Sequence, residues 1–245
     1  NRLGLDRCRL ARFPTKDANE FLLAGASAED FAFHVKDARP IDPDELVSAA
    51  IFVDEVIADL YPAEDVPVDP ALFIGMDHDW FRFRPGEVSV WTGYNGHGKT
   101  QFVGQSMLGL IRCDERVLIF SGEMLPRRLM SRLTRQAAGT SDPTIAYVRR
   151  INRWFDERLW LYRHVGPVDS KRLLEVFAYG ARRYGIRHFV IDSLMMIEDV
   201  PEEGRGAFEA QRQFMSRVTA FAKQYAAHVN VVAHPRKAAD EKSGP

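Results

Sequence analysis

The sequence predicts an α/β protein with a mostly parallel, helix-covered sheet. From about residue 69 onward, short apolar runs alternate with amphipathic helical patterns, which is typical of parallel strands joined by helices. Residues 93–100, Gly-Tyr-Asn-Gly-His-Gly-Lys-Thr, fit the phosphate-binding pattern G-x-x-x-x-G-K-[ST] without a mismatch. Two apolar runs end at an acidic residue, Glu123 or Asp192, at the sheet edge where such folds bind ligands.

Composition excludes several classes of protein. The 245 residues carry a formal net charge of −1, so a nucleic-acid contact must come from a local basic patch. Cys8 and Cys113 form no motif, which suits a reducing compartment. No apolar run approaches the length of a membrane span, so we expect no membrane partner. The chain starts at Asn1 without a methionine, which indicates a piece of something longer.

Residues 1–38 are predicted to be the end of a different domain. Residues 8–13 alternate like a strand, and residues 17–23 begin a helix with Asp17 as its cap and Gly25 as its stop. One strand and one or two helices are too small to fold alone.

Residues 39–68 are predicted to form a linker helix and a proline-rich spacer. Asp42-Pro43-Asp44-Glu45 is a helix start signal. A single apolar stripe then runs along about five turns and ends at Tyr61-Pro62; its members are Leu46, Ala50, Val53, Ile57 and Leu60. The stripe packs either on its own domain or on a neighbouring subunit.

Residues 69–245 form the predicted nucleotide-binding domain. Val88, Val90 and Trp91 predict a buried strand before the phosphate loop. Further patterns predict strands at 116–121, 159–165, 188–192 and 229–234, and helices at 101–111, 125–138, 143–155, 170–184 and 208–227. The arginines of the helix at 125–138, which share one face, are either surface or subunit contacts.

The requirements of phosphate binding explain which residue types occur in the loop. Glycines let backbone N–H groups approach phosphate oxygens and adopt the positive φ values that an anion nest needs, and the following helix adds its dipole. Lys99 is expected to reach the β- and γ-phosphates, and Thr100 to ligate Mg²⁺. The predicted nucleotide-binding residues are Gly93, Tyr94, Asn95, Gly96, His97, Gly98, Lys99, Thr100 and Gln101.

Polar residues at three strand ends complete the predicted site. Asp192 can hold Mg²⁺ or its water beside Thr100. Glu123 can orient a water for attack on the γ-phosphate, or it is merely a helix-start residue stabilised by the helix dipole. His234 can contact the γ-phosphate and report its loss, or it has a structural role. No histidine pair has the spacing of a zinc site.

Two loops after strand ends carry basic residues that can contact DNA, although charged loops are usually just solvated. The residues are Arg205 in the first loop and Arg236, Lys237 and Lys242 in the second.

At this point the assembled strings resemble a known family. They are Arg-Pro-Gly-Glu-Val-Ser-Val-Trp-Thr-Gly ending at Gly93, the phosphate loop, Phe-Ser-Gly-Glu-Met at 120–124, Phe-Val-Ile-Asp-Ser-Leu-Met at 189–195 and Val-Val-Ala-His-Pro-Arg-Lys at 231–237. They closely resemble the helicase domain of Twinkle-like and phage-type primase–helicases, within the DnaB-like family. The Lys-Asp-Ala-Asn string at 16–19 is similar to a segment near the end of TOPRIM primase domains, whose acidic metal-binding cluster lies earlier.

The resemblance implies a RecA-like fold, a hexameric ring docked through residues 43–60, and 5′→3′ movement on single-stranded DNA driven by ATP or dTTP. It implies the roles given above for Lys99, Thr100, Glu123, Asp192 and His234. The family's arginine finger and second DNA loop lie after Pro245, so we expect this piece alone to be weakly active. The implied location is the cytoplasm, that of a phage-infected host, or the mitochondrial matrix for an organellar protein.

Two alternatives stay open. A RecA-type recombinase or a clock-type ATPase would share the phosphate loop and the two acids, although the linker helix and TOPRIM-like string argue against it. A non-catalytic module that only assembles rings on DNA is the alternative from another class. A small-molecule kinase would need an acceptor pocket and a lid, which nothing here suggests.

Overall fold

The computed structural model describes residues 8–40, 46–61, 69–72, 81–94, 96–164, 166–201, 204 and 206–234. The chain divides into two compact units, Asn1–Pro67 and Val68–Pro245. None of the helices in these ranges is long and apolar enough to span a bilayer. The assignment of residues 1–38 and 39–68 to separate parts stays a prediction.

The first unit contains a two-stranded antiparallel ribbon around two short helices. Strand β1 (Arg9–Leu10) pairs with β2 (Arg39–Pro40). Between them lie α1 (Ala18–Leu23) and α2 (Ala28–Lys36). The Asp17 side chain accepts from the backbone N–H of the third helical residue of α1, as predicted.

Four rings pack together between the two helices and the loop that precedes them. Phe13 and Phe21 contact each other and both contact Phe31 and His34, with ring centroids 5.1–5.6 Å apart. Such pairs stabilise by about 0.5–1.5 kcal/mol each beyond burial. Both helices nevertheless lack any fully buried residue.

The predicted linker helix is shorter than expected. A 3₁₀-helix spans Ala49–Phe52 and leads into α3 (Val53–Leu60), whereas residues 46–48 are not helical and 43–45 lie outside the described residues. The Ser48 side chain accepts from the backbone N–H of Ala50, so a local cap starts the helix there. Leu46 therefore does not continue the helical stripe.

The second unit alternates strands and helices. In chain order its elements are β3 (Val88–Thr92), α4 (Lys99–Arg112), β4 (Val117–Ser121), α5 (Pro126–Ala138), α6 (Ile145–Phe155), β5 (Leu159–Leu161), α7 (Ser170–Tyr184), β6 (His188–Asp192), α8 (Ala207–Gln224) and β7 (His228–Ala233). A short 3₁₀-helix, Leu194–Met196, follows β6.

The five strands form one parallel sheet with the order β3-β7-β6-β4-β5. Because all of them run the same way, their carboxyl ends meet at one edge. In register, Asp192 lies between Ser121 and Val232, and Thr92 pairs with Ala233. The predicted fold class, α/β with the parallel sheet of a RecA-like domain, is confirmed.

Two hydrophobic cores cover the two faces of this sheet. Phe189 and Ile191 of β6 belong to one core with buried residues of α7 and α8. Val190, pointing the other way, belongs to a second core with buried residues of α4, α5 and α6. This alternation follows from the period of two along a strand.

Several element boundaries differ from the predictions. β3 is not buried: it lies at the edge of the described sheet, and Val90 is 52% exposed. Helix α6 begins at Ile145 because Thr144 is its N-cap. Strand β5 ends at Leu161 rather than continuing to residue 165, which lies outside the described residues.

Candidate nucleotide-binding site

The phosphate loop joins β3 to the N-terminus of α4, as predicted. Gly96 and Gly98 both have φ of +82°, a left-handed conformation that glycine adopts without steric cost. Gly93, also expected at positive φ, does not adopt it. A Cβ there would make only ordinary contact, at 3.7 Å, with the Lys99 side chain. The predicted nest therefore depends on two glycines.

Lys99 begins α4 and turns back over its own loop. Its Nζ donates to the carbonyl oxygen of Gly93 and, at 3.1 Å, to that of Tyr94. The ammonium group is thus held beside the backbone N–H groups that open the helix. A positive charge and free N–H donors at one point attract an anion.

Three strand ends bring the predicted polar residues to this loop. Asp192 ends β6, Glu123 follows β4 by two residues and His234 follows β7 directly. Their strands are neighbours in the sheet, and β7 adjoins β3. The sheet topology therefore gathers residues that are far apart in sequence at one edge.

Asp192 is 5% exposed and lies beside the first turn of α4. Burial raises the pKa of its carboxyl group, and the negative charge of Glu123 adds to this. A hydrogen bond from Thr100 and the charges of His234 and Arg132 lower the same pKa, without cancelling the rise. The protein surroundings of Asp192 therefore stabilise its ionised form less well than water does.

Glu123 is held at the mouth of the site by two partners. The Ser193 hydroxyl donates to its Oε1 at 2.7 Å, and His234 Nε2 lies 3.4 Å from the same oxygen. The Glu123 side chain remains 48% exposed. A carboxylate oriented in this way, yet open to water, has the position that a general base needs.

A backbone bond links the two acidic strand ends. The Gly122 amide donates to the Asp192 carbonyl oxygen at 2.8 Å. A Cβ on Gly122 would come within 2.5 Å of the Met196 Cβ in the short 3₁₀-helix. Only glycine fits between the strand end that carries Glu123 and the segment that follows Asp192.

These groups surround one cavity of about 540 Å³, within the size range of small-molecule sites. The residues that line it are Gly96, Gly98, Lys99, Thr100, Gln101, Glu123, Met124, Arg132, Asp192, Met195, Val232 and His234. A cleft beside it shares Gln101, Glu123, Met124 and Arg132. Eight predicted site residues therefore lie at a single cavity.

The other predicted site residues are placed differently. Tyr94 and His97 lie outside the lining of the cavity, and their rings pack edge to face with centroids 5.7 Å apart. Asn95 and the four basic residues expected at DNA, Arg205, Arg236, Lys237 and Lys242, lie outside the described residues. Their predicted contacts stay predictions.

Sequence reasoning missed Arg132 and Ser193 as parts of the site. Arg132 lies on α5 and reaches the cavity, and Ser193 holds Glu123. A signal existed for Arg132, because α5 directly follows Glu123 and Arg132 shares a helical face with Arg128 and Arg135. Ser193 carries no such signal, since any residue after Asp192 lies near the strand end.

The residue set suits Mg²⁺, which favours one or two protein oxygens together with phosphate oxygens and waters. Thr100 and Asp192 supply a hydroxyl and a buried carboxylate whose charge the protein leaves undercompensated. His234 Nδ1 is buried and has no hydrogen-bond partner within the described part of the chain. A cage of three or more His, Cys, Asp or Glu side chains does not occur among the described residues.

Comparisons with known proteins agree with this geometry. The chain is similar to a protein named "DNA helicase/primase" from Enterobacteria phage T3, with 27% identity over 249 residues. The match covers 95% of this chain and 43% of that relative, so the chain spans less than half of the relative's length. The resemblance to phage-type primase–helicases is thereby confirmed.

A protein-family model covers the unit that holds the site. Residues 78–240 match the model described as an AAA domain. The matched range is more than half of the chain and includes the phosphate loop, Glu123, Asp192 and His234. The chain therefore belongs to the AAA domain family.

Proposed function

We propose that this chain is the motor part of a DNA helicase, which hydrolyses a nucleoside triphosphate to move on DNA. The observation that carries the proposal is the convergence of the phosphate loop, Glu123, Asp192 and His234 on one cavity. The similarity to a phage protein named as a helicase/primase supports DNA as the partner. It also favours a phage-infected host cell over an organelle as the setting.

In this proposal the loop binds the triphosphate. The backbone N–H groups between Gly96 and Thr100 surround the β-phosphate, and Lys99 Nζ leaves the carbonyl oxygens of Gly93 and Tyr94 for the phosphate oxygens. Thr100 and Asp192 would hold Mg²⁺, which would supply positive charge to neutralise the phosphate oxygens. ATP and dTTP are the expected nucleotides.

Glu123 serves as the general base for water. Its Oε1 is fixed by Ser193 while the side chain stays open to solvent, so it can orient a water molecule in line with the γ-phosphate. His234, 3.4 Å from that oxygen, is placed to exchange Glu123 for the γ-phosphate as a partner. Such an exchange would make the strand end after β7 sensitive to hydrolysis.

Assembly and direction are the finer part of the proposal. A ring formed through the segment before the motor unit, moving 5′→3′ on single-stranded DNA, is what the family resemblance implies. The apolar side chains of α3 support docking on another subunit, because Val53, Ile57 and Leu60 are 51–68% exposed. Residues 1–38 are proposed to end a TOPRIM-like domain.

A substitution of the loop lysine tests the motor function. Lys99→Ala should abolish hydrolysis while circular dichroism stays unchanged, because Lys99 contacts the loop and not either core. Lys171→Ala, on an exposed position of α7, is the matched control and should hydrolyse normally. Hydrolysis by Lys99→Ala at the parent rate would contradict the proposal that the phosphate loop binds the hydrolysed nucleotide.

A second measurement tests assembly. Val53→Asp together with Ile57→Asp should shift higher oligomers toward monomer in sedimentation, since charges would replace the apolar face of α3. Asp54→Asn with Glu55→Gln is the control on the same helix. Rings that form equally well with Val53 and Ile57 replaced would assign assembly to another surface.

A further inference from the structure

Asp199, in the loop between β6 and α8, fastens the segment after β6 to the start of α7. Its Oδ1 accepts from the backbone N–H of Ser170 at 2.9 Å, and its Oδ2 accepts from the Ser170 hydroxyl at 2.6 Å. The guanidinium group of Arg217 on α8 donates to the same Oδ2 at 3.0 Å. Donors from two helices therefore hold one carboxylate that belongs to the loop between β6 and α8.

These partners stabilise the ionised form of Asp199. Burial alone would raise the pKa of its carboxyl group, but the hydrogen bonds from Ser170 and Arg217 outweigh burial and hold that pKa below its usual value. Ser170 is fully buried, and its N–H belongs to the first turn of α7, where N–H groups have no partner within the helix. A carboxylate at this end is also favoured by the helix dipole. Asp199 is therefore ionised and anchored at neutral pH.

Backbone hydrogen bonds beside this anchor tie the same segment to the loop before α7. Val168 donates to the Met196 carbonyl oxygen at 2.9 Å and accepts from the Glu198 N–H at 3.0 Å. Two residues before Val168, the Gly166 N–H donates to the Gly122 carbonyl oxygen at 3.1 Å. The loop before α7 thus contacts both the end of β4 and the segment after β6.

The segment held in this way carries Ser193, whose hydroxyl donates to Glu123 at 2.7 Å. The Met196 N–H donates to the Ser193 carbonyl oxygen at 3.0 Å. The Met196 side chain packs against Gly122, so closely that a Cβ on Gly122 would lie 2.5 Å from the Met196 Cβ. A shift of this segment would therefore move the Ser193 hydroxyl relative to Glu123.

We propose that Asp199 is a positioning residue for nucleotide hydrolysis, which acts through Ser193 on Glu123. The inference rests on the proposed function, in which Glu123 orients the attacking water. Small displacements of a general base slow the chemical step, because proton transfer needs a defined geometry. Neither partner of Asp199, Ser170 or Arg217, lines the nucleotide cavity, so the effect should appear in the rate of hydrolysis and not in nucleotide affinity.

Asp169 offers a matched control on the same helix. Its side chain caps α7 by accepting from the backbone N–H of Arg172 at 2.9 Å. Within the part of the chain that the structure describes, it forms no hydrogen bond with residues 193–199. If Asp199 only stabilised the start of α7, replacing either aspartate would have the same consequences.

The test measures single-turnover hydrolysis, nucleotide affinity and urea unfolding of Asp199→Ala and Asp169→Ala. Both changes should lower stability, because each removes an acceptor from the first turn of α7. Only Asp199→Ala should slow hydrolysis, by about three- to tenfold, which is the scale of one orienting hydrogen bond, with affinity unchanged. Added to Ser193→Ala, it should cause no further slowing, because both changes act on the same contact.

A second substitution covers the case in which Asp199→Ala does not fold. Asp199→Asn keeps the size of the side chain and an acceptor for Ser170 but loses the ion pair with Arg217, so its rate should be lower than that of the parent. Hydrolysis at the parent rate, equal slowing by Asp169→Ala, or effects of Asp199→Ala and Ser193→Ala that multiply would overturn the proposal.

Lys99→Ala, measured in parallel, separates this proposal from the proposed function. If hydrolysis persists in Lys99→Ala, the proposed function fails and the role of Asp199 fails with it. If hydrolysis is lost in Lys99→Ala but proceeds at the parent rate in Asp199→Ala, only the positioning role is wrong.

Discussion

Two histidine–glutamate pairs lie at opposite edges of the same sheet. At the amino edge, His188 Nε2 is 3.3 Å from Glu115 Oε2, and at the carboxyl edge, His234 Nε2 is 3.4 Å from Glu123 Oε1. His188 is 4% exposed and its ring faces Phe83, with centroids 6.1 Å apart. The second pair opens onto the 540 Å³ cavity. The packing around each pair, rather than the pair itself, distinguishes a structural pair from one that can contact a ligand.

The charges at the two edges behave differently. At the amino edge, a hydrogen bond with His188 holds the pKa of Glu115 below its usual value, so the protein itself stabilises that carboxylate. At the carboxyl edge, burial raises the pKa of Asp192. The protein thus stabilises the ionised carboxylate at the amino edge, whereas burial disfavours the ionised form of Asp192 at the carboxyl edge.

The largest expected effect comes from neutralising each glutamate in turn. Glu123→Gln should keep nucleotide affinity and slow single-turnover hydrolysis by roughly 10²–10⁴-fold, because it removes the proposed general base. Glu115→Gln, the matched change at the amino edge, should leave hydrolysis unchanged. Equal turnover in both variants would show that Glu123 is not the general base. Its role would then be that of a helix-start residue, whose loss costs only about 0.3–1 kcal/mol of stability.

The amino edge should instead respond through stability. Phe83 is 1% exposed and packs edge to face on His228, with centroids 5.1 Å apart. Phe83→Ala should lower the free energy of unfolding by about 3–5 kcal/mol in urea titrations, while the folded fraction binds nucleotide normally. Phe208→Ala, at a 75% exposed position, is the control. Comparable losses from both changes would contradict the packing role of Phe83.

Acid should also weaken the amino edge. Burial, together with the neighbouring His188, lowers the pKa of His228 to about 4, although a hydrogen bond with the Arg84 carbonyl oxygen opposes both. The unfolded chain binds a proton near its usual pKa of about 6.5, which the folded chain resists down to about 4. As the pH falls through this window, the free energy of unfolding should therefore fall by about 3 kcal/mol.

His228→Gln isolates this contribution to acid sensitivity. Urea titrations at about pH 7 and about pH 4.5 should show a smaller difference between the two pH values in the variant than in the parent. The titratable groups that both proteins share contribute equally to both and cancel in the comparison. An identical pH dependence in parent and variant would show that His228 titrates normally.

The smallest effects separate two serines that each contact one edge. Ser193 donates to Glu123 at 2.7 Å, and Ser89 Oγ lies 2.9 Å from His228 Nε2. Ser193→Ala should slow hydrolysis by about tenfold or less, since one hydrogen bond that orients the base contributes about 1 kcal/mol. Ser89→Ala should cost about 1 kcal/mol of stability and leave the rate unchanged. Slower hydrolysis in Ser89→Ala, together with lower stability and an unchanged rate in Ser193→Ala, would contradict this difference between the two edges.

Most of the parallel sheet was predictable from sequence, because its strands are continuous apolar runs with helical patterns between them. Val88, Val90 and Trp91 predicted a buried strand, but the pattern of one strand does not reveal where it lies in the order. The helix before the motor unit was predicted too long because the local cap at Ser48 competes with the apolar stripe.

The site was predictable where a residue ends a strand. Glu123, Asp192 and His234 met at one cavity because parallel strands share a carboxyl edge. Arg132 was missed although α5 directly follows Glu123, because the arginine face of α5 does not by itself show that the packing of α5 on α4 brings one of its residues to the cavity. His188 shows the converse: a histidine beside a glutamate is a similar pair, and only the closed packing around Phe83 makes it structural.

Gly122 connects the strand end that carries Glu123 to the segment that follows Asp192. Its amide is bound to the carbonyl oxygen of Asp192, and the short helix through Met196 packs against it without room for a Cβ. The strand end that carries Glu123 is consequently in direct contact with the chain after Asp192. A displacement of the segment after Asp192 would therefore be passed to the strand end that carries Glu123 through this hydrogen bond and the Met196 contact.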